Sequence, residues 1–240
     1  IDTSAVALTR TGGLDTRRVS ATGGWQLPWY SPIGDRYELR LDLRGDFYQT
    51  DGNPQTFEED GTGTEGRLIP RATLHWSWPF IGEVFGLSQV IEPVAMATWA
   101  PTGLNDDEIP NEDSRDFEFD DTSLFEPNRF PGFDRVQGGT SVAYGLRFGT
   151  YAPGGVVSGL IGQAYTFDED PEFDPSTGFD DKLSDYVGRV DFSPGPWLDA
   201  RYRFRVDRED FEFVRNEVGF TAGPPEVRFA VDYLMLRDDP

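Results

Sequence analysis

The sequence lacks cysteine, long apolar runs and all but one histidine. The absence of cysteine excludes structural disulfides, cysteine-ligated zinc and thiol catalysis. Because His75 is the only histidine, a histidine-rich metal site or a Ser-His-Asp triad is disfavoured. No run reaches the roughly 20 apolar residues that a membrane-spanning helix requires. We therefore expect a protein that is not an enzyme, with no catalytic residues, metal site or cofactor.

Basic residues are scarce relative to acidic ones. The chain has 21 lysines and arginines against 43 acidic residues, a net charge of −22. Such a charge repels phosphate backbones, so nucleic acid is excluded as a partner. Aromatic residues make up 14% of the chain and glycine is abundant. Transmembrane barrels accommodate this mixture, because only alternate residues of each strand face lipid.

The strongest pattern is a two-residue period between Arg36 and Phe47. Positions of one parity are all charged, and those of the other are apolar apart from Gly45. Side chains alternate between the faces of a strand, so the pattern predicts one charged and one apolar face. The stretch that begins at Trp197 repeats it. The candidate lumen-facing charges on these strands are Arg36, Glu38, Arg40, Asp42, Arg44, Asp199, Arg201, Arg203 and Arg205.

Weaker versions of the same period predict further strands. A change of phase between Phe213 and Val218 predicts a β-bulge. Long polar connections are expected at Thr50–Glu65, Thr102–Val136 and Asp168–Lys182. The predicted strands number about eleven, in a range of about 10–12, and lie near Val6–Thr11, Arg17–Gln26, Arg36–Phe47, Leu68–Trp78, Gln89–Trp99, Val142–Phe148, Val156–Phe167, Ser184–Ser193, Trp197–Asp207, Phe211–Ala222 and Val227–Met235.

The predicted fold is all-β: an antiparallel transmembrane β-barrel segment that is part of a larger barrel. Many predicted strands have roughly 10 residues, the length that a tilted strand needs to cross a bilayer. The alternating charges of both signs fit a crowded lumen wall better than the solvated face of a soluble β-sandwich, which is the alternative. Strands continue on both sides of every loop. We therefore predict a single region, 1–240, with a long lumenal or extracellular loop at residues 102–136.

A dense motif lies between Pro110 and Arg147. It reads P-N-E-D-S at 110–114, S-L-F-E-P-N-R-F-P-G-F-D-R at 123–135 and Y-G-L-R at 144–147. It resembles the C-terminal outer-membrane β-barrel domain of the LptD family of LPS-assembly proteins, where P-N-x-D-S precedes L-F-x-x-N-R-F-x-G-x-D-R and a Y-G-L strand. Shorter matches lie before the motif, at 89–93, and after it, at 161–165, in the order that the family has them. The motif residues are Asn111, Asp113, Ser114, Leu124, Phe125, Asn128, Arg129, Phe130, Gly132, Asp134 and Arg135.

The resemblance implies a protein of the outer membrane of a Gram-negative bacterium, with lipopolysaccharide (LPS) as its substrate. It implies a barrel translocon that delivers LPS to the outer leaflet, with its lumen plugged by an LptE-like lipoprotein. It also implies an LptA-like periplasmic bridge that passes LPS on through an N-terminal jellyroll. The sequence shows neither that jellyroll nor an aromatic final residue, so we expect a partial chain, a portion of the barrel.

The motif loop has two chemically different halves. Nine of the 17 residues from Asn105 to Asp121 are acidic, which predicts a solvated excursion. The second half carries apolar side chains, which predict a plug or structural latch folded into the lumen. We expect Arg129 and Arg135 to pair with Asp113 and Asp134 or with strand charges. The alternative is that individual motif residues only cap the ends of loops and strands.

Other functions fit parts of the sequence. A general porin or a small substrate-specific channel is the main alternative, followed by a soluble, acidic β-sandwich binding module and by an outer-membrane enzyme. The acidic residues from Asp168 to Asp181 fail the EF-hand pattern, because Phe179 stands at the twelfth position, where a bidentate Glu is required. We expect His75 to be a structural residue, either packed or facing the lumen.

Overall fold

The computed structural model describes residues 1–9, 15–51, 62–114, 117–168, 173, 177–179, 181–224 and 226–237. These residues form strands and connections, with no α-helix among them. Accordingly, the described ranges contain no helix long and apolar enough to span a membrane. The strands are β1 (Asp2–Leu8), β2 (Asp15–Tyr30), β3 (Arg36–Asp51), β4 (Thr62–Ser77), β5 (Phe80–Val84), β6 (Leu87–Ala100), β7 (Gly139–Ala152), β8 (Gly155–Thr166), β9 (Tyr186–Ser193), β10 (Leu198–Val206), β11 (Phe213–Ala222) and β12 (Phe229–Leu236).

All twelve strands belong to one antiparallel sheet. Consecutive strands pair in the order β1-β2-β3-β4-β6-β7-β8-β9-β10-β11-β12, and β5 pairs with the first five residues of β6. The sheet does not close, because β1 and β12 do not pair with each other within the described residues. This is the all-β antiparallel fold predicted from the alternation, and it is consistent with part of a larger barrel. The β-sandwich alternative is wrong, since a sandwich requires two sheets packed face to face.

The predicted strands are confirmed, with one omission. The sequence prediction lacked β5, whose side chains are all exposed and which follows β4 after Trp78 and Pro79. The predicted bulge is confirmed: Arg205 pairs with Arg215 and Val206 with Phe213, so Val214 is the extra residue. Most of the predicted connection at 50–65 lies outside the described residues. Its ends belong to strands, because Asp51 pairs with Thr62.

The two ends of the sheet differ in the length of their connections. The turns that join β2 to β3, β7 to β8, β9 to β10 and β11 to β12 lie at one end and have two to six residues. The connections after β1, β3, β6, β8 and β10 lie at the opposite end, and the longest joins Ala100 to Gly139. Short turns at one end and long loops at the other are the arrangement of outer-membrane barrels.

The two faces of the sheet are inverted relative to those of a soluble protein. On β3, Asp46 and Tyr48 are at most 5% exposed, whereas Leu43 and Phe47, which point the other way, are about half exposed. We call the first face the inner face and the second the outer face. Large apolar side chains project from the outer face over most of the sheet, among them Val19, Trp25, Leu27, Leu41, Leu68, Ile91, Trp99, Leu146, Phe220 and Val231.

Candidate functional site

The connection between β6 and β7, residues 101–138, folds back across the inner face of the sheet. We call it the inner-face segment. Its hydrogen bonds reach Arg18 on β2 at one side of the sheet and Arg215 on β11 at the other. A single connection therefore bridges strands that lie far apart in the sheet. The loop predicted at residues 102–136 falls within this segment, whose contacts are with the sheet.

The two halves of the motif interlock through reciprocal carboxylate–amide hydrogen bonds. Asp113 accepts from the backbone N–H groups of Phe133 and Asp134, each at 3.0 Å. Asp134 in turn accepts from those of Glu112, at 2.7 Å, and Asp113, at 3.1 Å. Gly132 has a φ of +71°, and a Cβ there would lie 2.3 Å from the Asp113 carboxyl carbon. The motif thus requires glycine at this position, on both conformational and steric grounds.

Beside β2–β4 the segment is anchored by buried charges. The Arg18 guanidinium of β2 donates to Asp134, at 2.5 Å, and to Asp113, at 2.8 Å. Burial alone would raise the pKa of Asp113, but hydrogen bonds from Arg18 and two backbone amides lower it to about 2. Arg67 of β4 donates to Asp46 at 2.7 Å and to the backbone oxygen of Asp134 at 3.0 Å. Arg18, Arg67, Asp46 and Asp134 are each less than 10% exposed in their side chains, so the anchor is desolvated.

A second ionic anchor lies beside β9–β11. Arg203 of β10 donates to Asp121 at 2.6 Å and to Asp120 at 2.7 Å, and Arg215 of β11 pairs with Glu118. Asp121 is 5% exposed. Burial would raise the pKa of Asp120, but hydrogen bonds from Thr122 and Ser123 and the charge of Arg203 lower it. The expectation of a solvated acidic half is therefore wrong for these three carboxylates.

Between the two anchors the contact is apolar. Phe119 and Leu124 of the segment are fully buried against the inner face of β6–β9, together with Phe173 and Phe179 of the connection after β8. The strand residues beneath them are Val94, Met96, Ala143, Leu160, Ala164 and Val187. Fully burying each large side chain contributes about 1.5–3 kcal/mol. The inner face is thus charged at its flanks and apolar at its centre, matching the segment that covers it.

Arg129 does not pair with Asp113 or Asp134, contrary to the sequence prediction. Its guanidinium, 4% exposed, donates to Gln137 Oε1 at 3.0 Å and to the Leu124 carbonyl at 3.3 Å. It also lies over the ring of Phe179, 5.2 Å from its centroid. Burial lowers the pKa of Arg129 to about 10, so it remains charged at neutral pH.

Arg135 is likewise not paired with those carboxylates. It donates to the Ile109 carbonyl at 3.1 Å. Within the described residues, neither arginine pairs with a strand charge either, so the prediction was wrong in both of its forms. Arg18, which precedes Asp113 by 95 residues and Asp134 by 116, occupies the two carboxylates.

The remaining motif residues are structural within the segment. Asn111 accepts from the Ser114 amide at 3.0 Å, and Ser114 Oγ accepts from the Arg135 amide at 3.2 Å. Asn128 accepts from the Gln137 amide at 2.7 Å and donates to the Phe130 carbonyl. These bonds fix the backbone of the segment. The ring of Phe130 packs at a tilt against that of Phe173, and Phe125 faces the cation of Arg147, 5.6 Å from its ring centroid.

The predicted polar-face charges lie on the inner face but differ in their partners. Arg44 hydrogen-bonds with Asp46, and Arg203 with the segment. Arg205 lies 3.5 Å from Asp185, whose pKa burial raises to about 6. Nearer the short-turn end, Arg40 pairs with Asp42 of its own strand and Arg201 with Asp191 across the hairpin, and both arginines are about half exposed.

On the side of the segment that faces the short-turn end, the inner face encloses a hollow, which we call the hollow below the segment. A cleft of about 640 Å³ lies between Asp121, Phe125 and Glu126 of the segment and the inner face of β6–β9, with Arg147 and Arg189 in its wall. An adjoining pocket of about 130 Å³ is lined by Arg36, His75, Ser77 and Arg147. His75 lines both parts of this hollow.

The sequence matches the family model LptD, LPS transport system D, over residues 1–240. The chain belongs to the LptD family. LptD is an outer-membrane family that acts in LPS transport and assembly, not a family of enzymes. A search of curated proteins finds no match to the chain. The family assignment agrees with the resemblance carried by the motif of residues 110–147.

Several residues that hold this LptD segment in place were not predicted from the sequence. Arg18, Tyr48 and Arg67 belong to strands whose alternation was recognised, but no local signal marks them as partners of a segment about 65 to 115 residues downstream. The one signal that could have indicated these contacts is the excess of acidic residues at 105–121. Buried arginines on the polar face of the strands require carboxylate partners, and this stretch can supply them.

Proposed function

We propose that this LptD-family chain forms part of the wall of the barrel translocon that delivers LPS to the outer leaflet. The outer face contacts lipid, and the inner face lines the lumen. The inversion of the two faces carries the proposal: large apolar side chains project uncovered from the outer face, and the strand charges lie on the inner face beneath and beside the segment. Strands β2, β3 and β4 have 16 residues each, more than the 9–11 that a tilted strand needs to span a bilayer.

The proposed orientation follows from the connections. The end with the long connections faces the cell exterior and the short-turn end faces the periplasm, as in other outer-membrane barrels. The inner-face segment is then a lumenal plug that enters from the exterior side. The hollow below it opens toward the periplasm, the side from which LPS arrives. An LptE-like lipoprotein in the rest of the lumen and an LptA-like bridge acting through a jellyroll are the partners proposed with this role.

A pair of adjacent positions on β3 tests the proposal in the full-length protein. Arg40 is on the inner face and Leu41 on the outer face, and both are accessible. A photocrosslinking amino acid at position 40 should give an LPS adduct in living cells, whereas the same group at position 41 should crosslink phospholipid without saccharide. The adducts are identified by immunoblotting and mass spectrometry.

Two results would contradict the proposal. LPS adducts at position 41 but not at 40 would reverse the assignment of the faces. Ion conductance of the purified protein in a planar bilayer, without an LPS adduct at either position, would favour the porin alternative. The inner-face segment argues against a wide open pore, because it occupies the inner face from β2 to β11.

A further inference from the structure

The arginines of the inner face fall into two groups that differ in how many of their N–H donors have a hydrogen-bond acceptor. Those beneath the segment, such as Arg18, Arg67 and Arg203, each donate to two or more acceptors. In the hollow below it, Arg189 pairs with Asp121 and Asp191, but Arg36 and Arg147 lack comparable partners. Within the described part of the chain, the side chain of Arg36 has neither a hydrogen bond nor an ion pair. Arg147 has Glu92 at 3.6 Å, too far for a hydrogen bond, and the ring of Phe125.

The guanidinium groups of Arg36 and Arg147, which have few partners, line the same small pocket. Arg36 lies opposite Ser77 in the β3–β4 register, and Arg147 enters from β7. Ser77 and His75 add a hydroxyl and an imidazole, and Glu38 is the one carboxylate in the described lining. A guanidinium presents five N–H donors in a planar fork that matches a carboxylate or phosphate. A cavity of about 130 Å³ has room for such a group.

The larger cleft continues directly from this pocket, because His75, Phe125 and Arg147 line both. Its wall combines the aromatic ring of Phe125 with the hydroxyls of Thr122 and Ser158 and charges of both signs. Donors and acceptors beside an aromatic face suit a polyhydroxylated body. The pocket and the cleft thus form a composite cavity with one part for an oxyanion and one for a saccharide.

We propose that the hollow below the inner-face segment is a binding subsite for an anionic saccharide, whose phosphate or carboxylate is held by Arg36 and Arg147. The saccharide ring lies in the cleft against Phe125. This inference rests on the proposed function, since it places the subsite on the lumenal path. It adds which chemical group of the substrate is recognised and by which residues.

Titration of the full-length protein in detergent tests the subsite, with glucosamine 6-phosphate as the probe and isothermal calorimetry as the readout. We expect binding of the probe to weaken about tenfold in Arg36→Gln and in Arg147→Gln, because each loses charge-assisted hydrogen bonds. Arg36→Lys and Arg147→Lys should bind with intermediate affinity, since the charge remains without the planar fork. Arg201→Gln is the matched control: an exposed arginine on the same face, outside both cavities, whose loss should leave binding unchanged.

Two further titrations distinguish the possible ligand sources. Unphosphorylated glucosamine should bind at least tenfold more weakly than the probe, which shows that the oxyanion is recognised. Inorganic phosphate should also bind more weakly, because it leaves the cleft empty. Phosphate binding as tight as that of the probe would overturn the saccharide part of the proposal. Absence of probe binding, or equal binding by wild type and the Arg36 and Arg147 variants, would overturn the whole.

The outcome is separable from that of the proposed function. LPS crosslinking at position 40 without probe binding would refute the subsite and leave the transport role in place. Probe binding that depends on Arg36 and Arg147, without LPS crosslinking, would support the subsite and refute its place in LPS delivery. Heat-modifiable migration of each variant on a gel establishes that the barrel has folded.

Discussion

Replacement of Asp134 by asparagine should destabilise the protein more than any comparable change at an exposed carboxylate. Asp134 is 2% exposed and accepts four hydrogen bonds, from Arg18, Tyr48 and two backbone amides. Breaking a buried ion pair by removing one partner costs about 3–5 kcal/mol. Here Arg18 keeps Asp113 at 2.8 Å, so part of its charge stays compensated. We therefore expect Asp134→Asn to lower the free energy of unfolding by about 2–3 kcal/mol.

The assay is urea unfolding of the full-length protein in lipid vesicles, followed by the loss of the heat-modifiable folded band. Asp199→Asn serves as the control, because Asp199 is half exposed and lies 3.6 Å from the half-exposed Arg228. An exposed pair of this kind contributes about 0–1 kcal/mol. In a double-mutant cycle, Arg18→Gln and Asp134→Asn together should cost less than the sum of the single changes. Equal effects of Asp134→Asn and Asp199→Asn, or strict additivity in the cycle, would refute the anchor as described.

Two other predictions concern the inner face. Burial raises the pKa of Asp185 to about 6, above its ordinary value near 3.8, so between these values the folded protein binds a proton that the unfolded chain has lost. The free energy of unfolding should therefore fall as pH rises from about 4 to 6. Asp185→Asn should flatten this pH dependence in urea titrations, whereas the same change at the exposed Asp181 should not. Gly162→Ala should cost about 1–3 kcal/mol because its Cβ would lie 2.6 Å from both Leu124 Cδ2 and the backbone oxygen of Tyr144. Gly23→Ala, with no atom within 4 Å, should be nearly neutral by the same measurement, and equal effects would contradict the close packing around Gly162 on β8.

The faces of the strands were predictable because a two-residue period directly reports which side chains share a face. Alternation assigned Arg36 to Phe47 correctly, and the change of phase near Val214 located the bulge to within a few residues. β5 escaped prediction because Trp78 and Pro79 interrupt the pattern and its five residues are exposed on both faces. Its position is defined by pairing with β6, which a local pattern does not contain.

The candidate site was predictable in its location but not in its bonds. The motif identified the segment, and its apolar residues indicated that it packs against the sheet. Its ion pairs depend on which strand lies beneath each carboxylate. That depends on the curvature and stagger of the whole sheet, so the choice of Arg18 over Arg129 as the partner of Asp134 follows only from the three-dimensional structure.

The anchors of the inner-face segment set the order in which the protein can be assembled. Strand pairing joins neighbours along the chain, so the sheet can grow hairpin by hairpin. The segment behaves differently: Asp134 binds an arginine 116 residues before it, and Asp120 binds one 83 residues after it. Until β9, β10 and β11 are in place, the carboxylates of the second anchor lack their arginine partners, and the acidic stretch stays hydrated. Docking of the segment is therefore a late, long-range step, which follows the local pairing that builds the wall.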